Sequence, residues 1–328
     1  MSSNLIPVTI LTGFLGSGKT TLLNYILKQP HGHRIAVIEN EFGEAGIDNE
    51  LLVQDRDEQI IEMNNGCICC TVRGDLVRIL GELAAKRTAG TLQFDRVVIE
   101  TTGLADPAPV AQTFFVDEDI VQHYMLDAIV TLVDTKHAPQ QLDEHHEAQE
   151  QVGFADRILL TKTDLVDAAD VQALRQRLVR INPRASIAES RKGVVALDDV
   201  LDIRGFNLSA ILEIEPDFLS DVTHEHDDDI TSFVFRETNP LDLEDIEDFL
   251  SSIVQVYGAQ LLRYKGILNI KGTDKRVIFQ GVHMLMGSDL GAPWAKDEVR
   301  ESKMVFIGKD LPRDVLEKGL RRSVRSIA

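Results

Sequence analysis

The chain has 328 residues, of which 44% are hydrophobic and 27% are charged, as in a globular protein rather than a disordered or fibrous one. At roughly 150 residues per domain, this length predicts two domains. The 53 acidic and 34 basic residues give a formal charge of −19, which argues against a nucleic-acid partner and against an anionic membrane surface. No stretch reaches the roughly 18 apolar residues of a membrane span, and no signal peptide is recognisable. We therefore expect a cytoplasmic protein.

Residues 1–212 alternate short apolar runs with helical segments, a pattern that predicts a doubly wound, mostly parallel α/β domain. The predicted strands are Pro7–Thr12, Arg34–Glu39, Gln59–Met63, Asp95–Thr101, Ala128–Asp134 and Arg157–Thr161. The predicted helices are Lys19–Lys28, Gly74–Lys86, Pro109–Phe115, Pro139–Gln151 and Ala168–Ile181. Because His145 and His146 are adjacent on one of these helices, they cannot share a face, and we interpret both as surface residues.

Residues 213–229 contain eight acidic residues and predict a linker or exposed loop. Within it, the stretch from His224 to Asp229 is either a loose cation-collecting loop or a solvated acidic linker. Residues 230–328 predict a smaller α+β domain with an antiparallel sheet. Its predicted strands are Thr231–Arg236, Gln260–Ile270, Arg276–Leu285 and Met304–Ile307, and its predicted helices are Leu243–Val256 and Pro312–Ser323.

The segment Gly13–Thr20 (GFLGSGKT) matches the G-x-x-x-x-G-K-[ST] pattern of a phosphate-binding loop between a strand and a helix. In such a loop the backbone N–H groups surround phosphate oxygens, and the helix N-terminus adds the positive end of its dipole. Lys19 is expected to neutralise the β- and γ-phosphates and to act in catalysis, while the Thr20 hydroxyl ligates Mg²⁺. The predicted nucleotide contacts of this segment are Gly13, Gly16, Ser17, Gly18, Lys19, Thr20 and Thr21.

An acidic group at the end of a neighbouring strand completes the magnesium site of a P-loop enzyme. Glu100 ends an apolar run and is our candidate for that role and for catalysis. Gly103, three residues later, can offer its backbone N–H to the γ-phosphate. Asp134 also ends a predicted strand, but capping the next helix suits it better.

The base of the nucleotide is expected at Thr161-Lys162-Thr163-Asp164, which begins at the end of another predicted strand. The carboxylate of Asp164 can accept two hydrogen bonds from the edge of guanine, an edge that adenine lacks, and the stem of Lys162 can lie along the base plane. Downstream of a complete phosphate loop, this motif favours guanine over adenine.

All three cysteines of the chain lie within four positions, as Cys67, Cys69 and Cys70. Thiolates this close favour a soft-metal site, for Zn²⁺ or Cu(I), over a disulfide framework. The alternative is that they are small buried residues. Three thiolates leave a tetrahedral ion one ligand short. Water, a client protein or a carboxylate could fill that position, and the candidate carboxylates are Glu39, Glu41 and Glu44.

Five motifs occur in one order: Gly13–Thr20, Glu39–Glu44 (ENEFGE), Cys67-x-Cys69-Cys70, Glu100-x-x-Gly103 and Thr161–Asp164 (TKTD). Together they resemble the CobW-like family of P-loop GTPases, close to its bacterial YjiA type, and residues 260–281 resemble the second module of that family. The resemblance implies GTP and Mg²⁺ binding, slow hydrolysis, and a metallochaperone that carries zinc or cobalt to a client metalloprotein. It implies metal binding at the three cysteines, and contacts to Mg²⁺ and the γ-phosphate at Thr20, Glu100 and Gly103. The guanine motif of the family begins with Asn where this chain has Thr161, which leaves base selection to Lys162 and Asp164.

Our hypothesis is a nucleotide-gated metal carrier, in which GTP orders the segment Glu39–Cys70 and thereby sets the metal geometry. The residue that orients the attacking water has no recognisable signal, so a partner protein or the second subunit of a homodimer is expected to supply it. Two alternatives remain: a small-molecule P-loop kinase with structural cysteines, and a non-catalytic metal buffer that nucleotide regulates.

Overall fold

The computed structural model describes residues 5–39, 59–62, 71–205, 229–296 and 298–325. The three cysteines, Glu41, Glu44 and almost all of the acidic segment 213–229 lie outside these ranges. Contacts between Cα atoms divide the chain into two compact units, Met1–Arg175 with Ala185–Phe206 and Gln176–Arg184 with Asn207–Ala328. The predicted domain boundaries, 1–212, 213–229 and 230–328, remain a prediction.

The described residues of the first unit form a seven-stranded sheet in which every strand pair is parallel. The strands are β1 (Ile6–Thr12), β2 (Ile35–Glu39), β3 (Gln59–Glu62), β4 (Arg96–Glu100), β5 (Tyr124–Asp134), β6 (Arg157–Thr161) and β7 (Ser186–Ser190). Their order is β3-β2-β4-β1-β5-β6-β7, so strands lie on both sides of β1, and β4 lies between β1 and β2. This arrangement confirms the predicted doubly wound α/β fold.

The helices between these strands are α1 (Lys19–Lys28), α2 (Thr71–Thr88), α3 (Ala108–Val116), α4 (Glu118–His123), α5 (Ala138–Glu144), α6 (His146–Phe154) and α7 (Ala168–Ile181). Helix α1 illustrates how they pack. Leu22, Leu23 and Ile26 recur at helical spacing, are completely buried, and join a core that includes Val37 of β2 and Val98 of β4. The sheet therefore fixes the position of α1, which in turn positions the phosphate loop before it.

The predicted helix Pro139–Gln151 is wrong in one respect, because two helices replace it. His145 adopts an extended conformation (φ −129°, ψ 113°) between α5 and α6, and its ring lies 4.6 Å from the ring of Phe14 in the phosphate loop. His145 and His146 are therefore not on one helix, and both are half-buried rather than surface residues. The long-range contact with Phe14 explains why local periodicity did not reveal the break.

The described residues of the second unit form a five-stranded antiparallel sheet in the order β11-β10-β9-β12-β8. Its elements are β8 (Ile230–Glu237), α8 (Leu243–Tyr257), β9 (Leu261–Asn269), β10 (Lys275–Val282), β11 (Leu285–Pro293), β12 (Ser302–Lys309) and α9 (Arg313–Arg322). A core of Tyr264, Leu268, Phe279 and Phe306 packs against the two helices, for example at Leu250. This unit confirms the predicted smaller α+β domain.

The predicted strand Arg276–Leu285 is wrong at its end, because the chain turns at His283 and returns as β11. His283 has a left-handed backbone (φ 51°), which a tight turn requires and most side chains avoid. Among the described residues, no helix is long and apolar enough to cross a bilayer.

Candidate functional site

The phosphate loop connects β1 to α1, as its sequence predicts. Gly13, Gly16 and Gly18 have φ values of 138°, 72° and 100°, which only glycine adopts without strain. A Cβ atom on Gly13 would lie 2.4 Å from the carbonyl oxygen of Leu132. The first turn of α1 has no acidic residue, and within the described residues no side chain caps it. Its N–H groups therefore offer a positive end to an anion.

Lys19 is enclosed by this loop. Its side chain donates a hydrogen bond from Nζ to the carbonyl oxygen of Gly13 at 2.8 Å, and the residue is only 8% exposed. Burial lowers the pKa of the ammonium group, and the nearby carboxylate of Glu100 opposes this change. A phosphate oxygen placed against this ammonium would offset the cost of burying it.

Thr20 and Glu100 meet at the carboxyl edge of the sheet. The Thr20 hydroxyl donates to Oε1 of Glu100 at 3.1 Å, across the junction of α1 and β4. A hydroxyl and a carboxylate beside a phosphate loop form the oxygen donor set that Mg²⁺ prefers. The residues present therefore fit magnesium. Ser17 adds a further signal, because its hydroxyl is buried and makes no hydrogen bond within the described part of the chain.

Gly103 lies directly against the phosphate loop. A Cβ atom on Gly103 would lie 2.8 Å from both N and Cα of Leu15, so no side chain fits there without movement. Gly103 and its neighbours Thr102 and Leu104 belong to residues 101–107, the segment between β4 and α3, which we call the γ-loop. The predicted γ-phosphate contact thus lies where the γ-loop touches the loop that would hold the phosphates.

Two residues of the predicted base motif form hydrogen bonds with the backbone of the phosphate loop. The Thr161 hydroxyl donates to the carbonyl oxygen of Ser17 at 2.8 Å, and Nζ of Lys162 donates to the carbonyl oxygen of Gly16 at 2.9 Å. Lys162 has a left-handed backbone (φ 57°). Asp164 is exposed. Thr161, the position where the family motif has Asn, therefore contacts the loop backbone itself.

Asp134, at the end of β5, binds the same lysine. Its Oδ2 atom lies 2.6 Å from Nζ of Lys162 and 2.8 Å from Nδ1 of His137, while Oδ1 accepts from the backbone N–H of Lys136 at 3.1 Å. The side chain is only 2% exposed. Burial raises the pKa of this carboxyl, but the bonds from Lys162 and His137 outweigh burial and hold the pKa below its usual value. Asp134 therefore closes the turn before α5 and contacts Lys162, but the predicted capping role is wrong, because the N-cap position of α5 is His137 and no side chain caps it within the described residues.

The turn after β7 lies beside the start of α1, a position that its sequence did not predict. Lys192 and Gly193 both have positive φ (54° and 79°), and the backbone of Arg191 pairs with that of Val194. A Cβ on Gly193 would lie 3.0 Å from the carbonyl oxygen of Thr21, so this turn lies over the start of α1. The Lys-Gly pair is a recognisable turn signal, but its closeness to the site depends on the tertiary fold.

The candidate metal ligands fall mostly outside the described residues, but Glu39 is present. It ends β2, is 8% exposed, and pairs in register with Glu100 of the adjacent strand β4. On the other side it pairs with Glu62 of β3. Within the described ranges, no group of three metal-binding side chains converges on one point. The cysteines Cys67, Cys69 and Cys70 and the carboxylates Glu41 and Glu44 remain predictions.

The chain is similar to known proteins over most of its length. Residues 7–189 match the family model described as CobW/HypB/UreG, nucleotide-binding domain, and residues 230–324 match the Cobalamin synthesis protein cobW C-terminal domain. The zinc chaperone YjiA of Escherichia coli is 44% identical over 97% of this chain and all of its own length. The crystal structure of Zn(II)-bound YjiA GTPase superimposes with a TM-score of 0.80 and 38% identity, covering 98% of this chain and 99% of that one. A Zn(II)-bound triple mutant of YjiA, in which one glutamate and two cysteines are replaced by alanine, gives a TM-score of 0.82 at the same identity and coverage.

Proposed function

This chain belongs to the CobW/HypB/UreG family, and on that basis we propose that it is a GTP-hydrolysing zinc chaperone whose nucleotide state controls its hold on the metal. The proposal has a nucleotide half and a metal half. The two halves are supported by different residues, and they meet at the ends of β2 and β4.

The nucleotide half is supported by the 3.1 Å contact between Thr20 and Glu100. In the proposed site these residues hold Mg²⁺, which supplies positive charge to the β- and γ-phosphates when it is bound. Lys19 neutralises the same phosphates from inside the loop. The backbone N–H of Gly103 faces the γ-phosphate. Each group acts by position and charge, which is how phosphoryl transfer is mainly catalysed.

Recognition of the base is assigned to Lys162 and Asp164. The ammonium of Lys162 is held between the carbonyl oxygen of Gly16 and the carboxylate of Asp134, so its methylene stem is available to lie along a base plane. Asp164 is exposed two residues later, where its carboxylate can accept from the edge of guanine. The geometry therefore favours GTP over ATP.

The metal half is assigned to Cys67, Cys69 and Cys70, with Glu39 as the candidate carboxylate that lies among the described residues. The observation that carries the coupling is the register pair of Glu39 and Glu100 on adjacent strands. Neighbouring strands lie about 4.8 Å apart, so a cation held at the end of β2 and one held at the end of β4 are within direct electrostatic reach. Zinc is favoured as the cargo because the relative YjiA is a zinc chaperone.

The test is to measure zinc affinity by competition with a chelator, with and without a non-hydrolysable GTP analogue and Mg²⁺. A coupled carrier is expected to change its zinc affinity by about fivefold or more, which is the usual scale of coupling between two sites. Equal affinities in the two states would refute the coupling.

Two variants separate the possible causes. The Lys19→Ala protein should bind zinc normally but ignore the nucleotide, because it lacks the phosphate-binding ammonium. A triple serine variant of the three cysteines should lose the nucleotide-dependent zinc site. Because the YjiA triple mutant is itself Zn(II)-bound, the readout is the nucleotide-dependent change in affinity and not the total zinc content.

Three further assignments belong to this proposal. The GTPase domain spans residues 1–212. The acidic segment spans residues 213–229, and the C-terminal domain spans residues 230–328. The protein acts in the cytoplasm, where a reducing environment keeps the three thiols available to metal. Zinc passes to a client metalloprotein, and either that client or a second copy of the chain supplies the group that accelerates hydrolysis.

A further inference from the structure

Gln151 lies on α6 and is almost completely buried, with 1% of its surface exposed. Its side-chain Nε2 donates to the carbonyl oxygens of Gly103 at 3.2 Å and Ala105 at 3.1 Å. Both acceptors belong to the γ-loop. One amide group therefore holds two peptide units of the segment that touches the phosphate loop.

The backbone of Gln151 is anchored as well. Its carbonyl oxygen accepts a hydrogen bond from the hydroxyl of Thr131 in β5 at 2.8 Å. A continuous series of contacts thus runs from the sheet through Gln151 to Gly103, and from Gly103 to Leu15 in the phosphate loop. Gly103 cannot shift freely while both ends of this series are fixed.

The acceptor end of the same side chain has no such role. Oε1 of Gln151 is buried and makes no hydrogen bond within the described residues. A buried acceptor without a partner costs about 1–3 kcal/mol, which an apolar side chain at this position would avoid. The amide is thus explained by its two donor hydrogens and not by packing.

We propose that Gln151 is a positioning residue for hydrolysis, which holds the γ-loop so that the N–H of Gly103 faces the γ-phosphate. This inference rests on the proposed GTPase function and names the side chain that sets the geometry of that site. Gln151 does not touch the nucleotide in this proposal. It acts only through the γ-loop, so it affects the triphosphate state and not the diphosphate state.

The test compares Gln151→Met with the matched control Gln149→Met. Gln149 lies on the same helix, is 5% exposed, and donates from Nε2 to the carbonyl oxygen of Leu142 at 2.8 Å, outside the γ-loop. Both substitutions replace a buried amide by an apolar side chain of similar length. A defect from lost packing or lost helix stability should therefore appear in both proteins.

Three quantities are measured for each protein: the affinity for GDP, the affinity for a non-hydrolysable GTP analogue, and the single-turnover rate of phosphate release. For Gln151→Met we expect GDP affinity within about twofold of wild type, and hydrolysis slower by about tenfold or more, as two neutral hydrogen bonds are lost. Binding of the analogue should weaken relative to GDP. Gln149→Met should match the wild type in all three.

An unchanged hydrolysis rate in Gln151→Met would overturn the proposal, and so would an equal loss of affinity for GDP and for the analogue. If Gln151→Met does not fold, Gln151→Asn takes its place with the same expectations, because its shorter amide cannot reach both carbonyl oxygens. Failure of the proposed function gives a different result, since the wild-type protein itself would then release no phosphate from GTP.

Discussion

Replacing Asp134 by Asn tests whether the carboxylate at the end of β5 fixes Lys162 for nucleotide binding. The two oxygens of this carboxylate have different partners. Oδ1 accepts from the backbone N–H groups of Lys136 and His137, whereas Oδ2 faces Nζ of Lys162 and the ring of His137. An Asn side chain can keep the first set with its single oxygen. Its NH₂ group then faces the donors of the second set, so the contact with Lys162 is lost.

The size of the effect follows from the exposure of the two partners. Asp134 is 2% exposed and Lys162 is 35% exposed, so solvent weakens the pair on one side only. Charge-assisted hydrogen bonds contribute about 1.5–3 kcal/mol, and the exposed lysine places this one at the low end. A loss of about 1.4 kcal/mol corresponds to a tenfold weaker affinity. We expect Asp134→Asn to weaken GDP binding by about tenfold.

The assay is a titration of GDP by calorimetry, with His137→Ala as the comparison. His137→Ala removes the other side-chain partner of Oδ2 but leaves Lys162 in place, so its affinity should stay within about threefold of wild type. A GDP affinity of Asp134→Asn within twofold of wild type would show that Lys162 needs no anchor and would refute the reasoning.

The pH dependence gives an independent check on Asp134. Because the folded pKa of this carboxyl is depressed, its contribution to stability is complete above the ordinary aspartate pKa of about 3.9 and is lost as the pH falls through the lower folded value. The difference in unfolding free energy between wild type and Asp134→Asn should therefore shrink below about pH 4. A difference that stays constant from pH 7 to pH 3 would contradict the depressed pKa.

Three other substitutions test separate parts of the first unit. Gly103→Ala should slow GTP hydrolysis about tenfold or more, because the added Cβ would lie 2.8 Å from the backbone of Leu15. The rate of phosphate release measures this hydrolysis. Lys19→Met should abolish the rise in melting temperature that saturating GDP gives the wild type. At a GDP concentration of 100 times Kd, binding stabilises the wild type by about 2.7 kcal/mol. A retained rise would contradict the role of Lys19 in phosphate binding. Asp127→Asn should cost about 1–3 kcal/mol in urea unfolding, because it removes the charge of the buried carboxylate 3.2 Å from Arg96, whose second partner, Asp202, remains.

The sequence predicts the parts of the fold whose signals are local. Helix α1 has the predicted bounds, and six of the parallel strands lie within a few residues of their predicted positions. These elements are predictable because apolar runs and the phosphate-loop pattern depend only on residues that are close in the sequence. Strand β7 was missed because its sequence, SIAES, has no apolar run and is half-exposed. Helix α4 was missed as well, although Asp117 caps it by accepting from the N–H of Ile120.

The parts of the site that join distant residues could not be read from the sequence. The contact between Asp134 and Lys162 spans 28 residues and depends on β5 and β6 being neighbours. Gln151 carries no motif, because a glutamine in a helix has no characteristic spacing. The contact between Thr20 and Glu100 was anticipated, since a P-loop fold requires an acidic group at that strand end.

If the proposed metal assignments hold, the pairing of Glu39 with Glu100 bears on how magnesium and zinc affect each other's binding. Two unit charges 4 Å apart near a protein surface interact by about 4 kcal/mol, and divalent ions interact more strongly. Under the proposed function, an ion bound at the end of β4 would raise the free-energy cost of binding a second ion at the end of β2. The magnesium concentration of the surrounding solution would then influence zinc loading, so that a shortage of one ion would change the delivery of the other without any change in the protein.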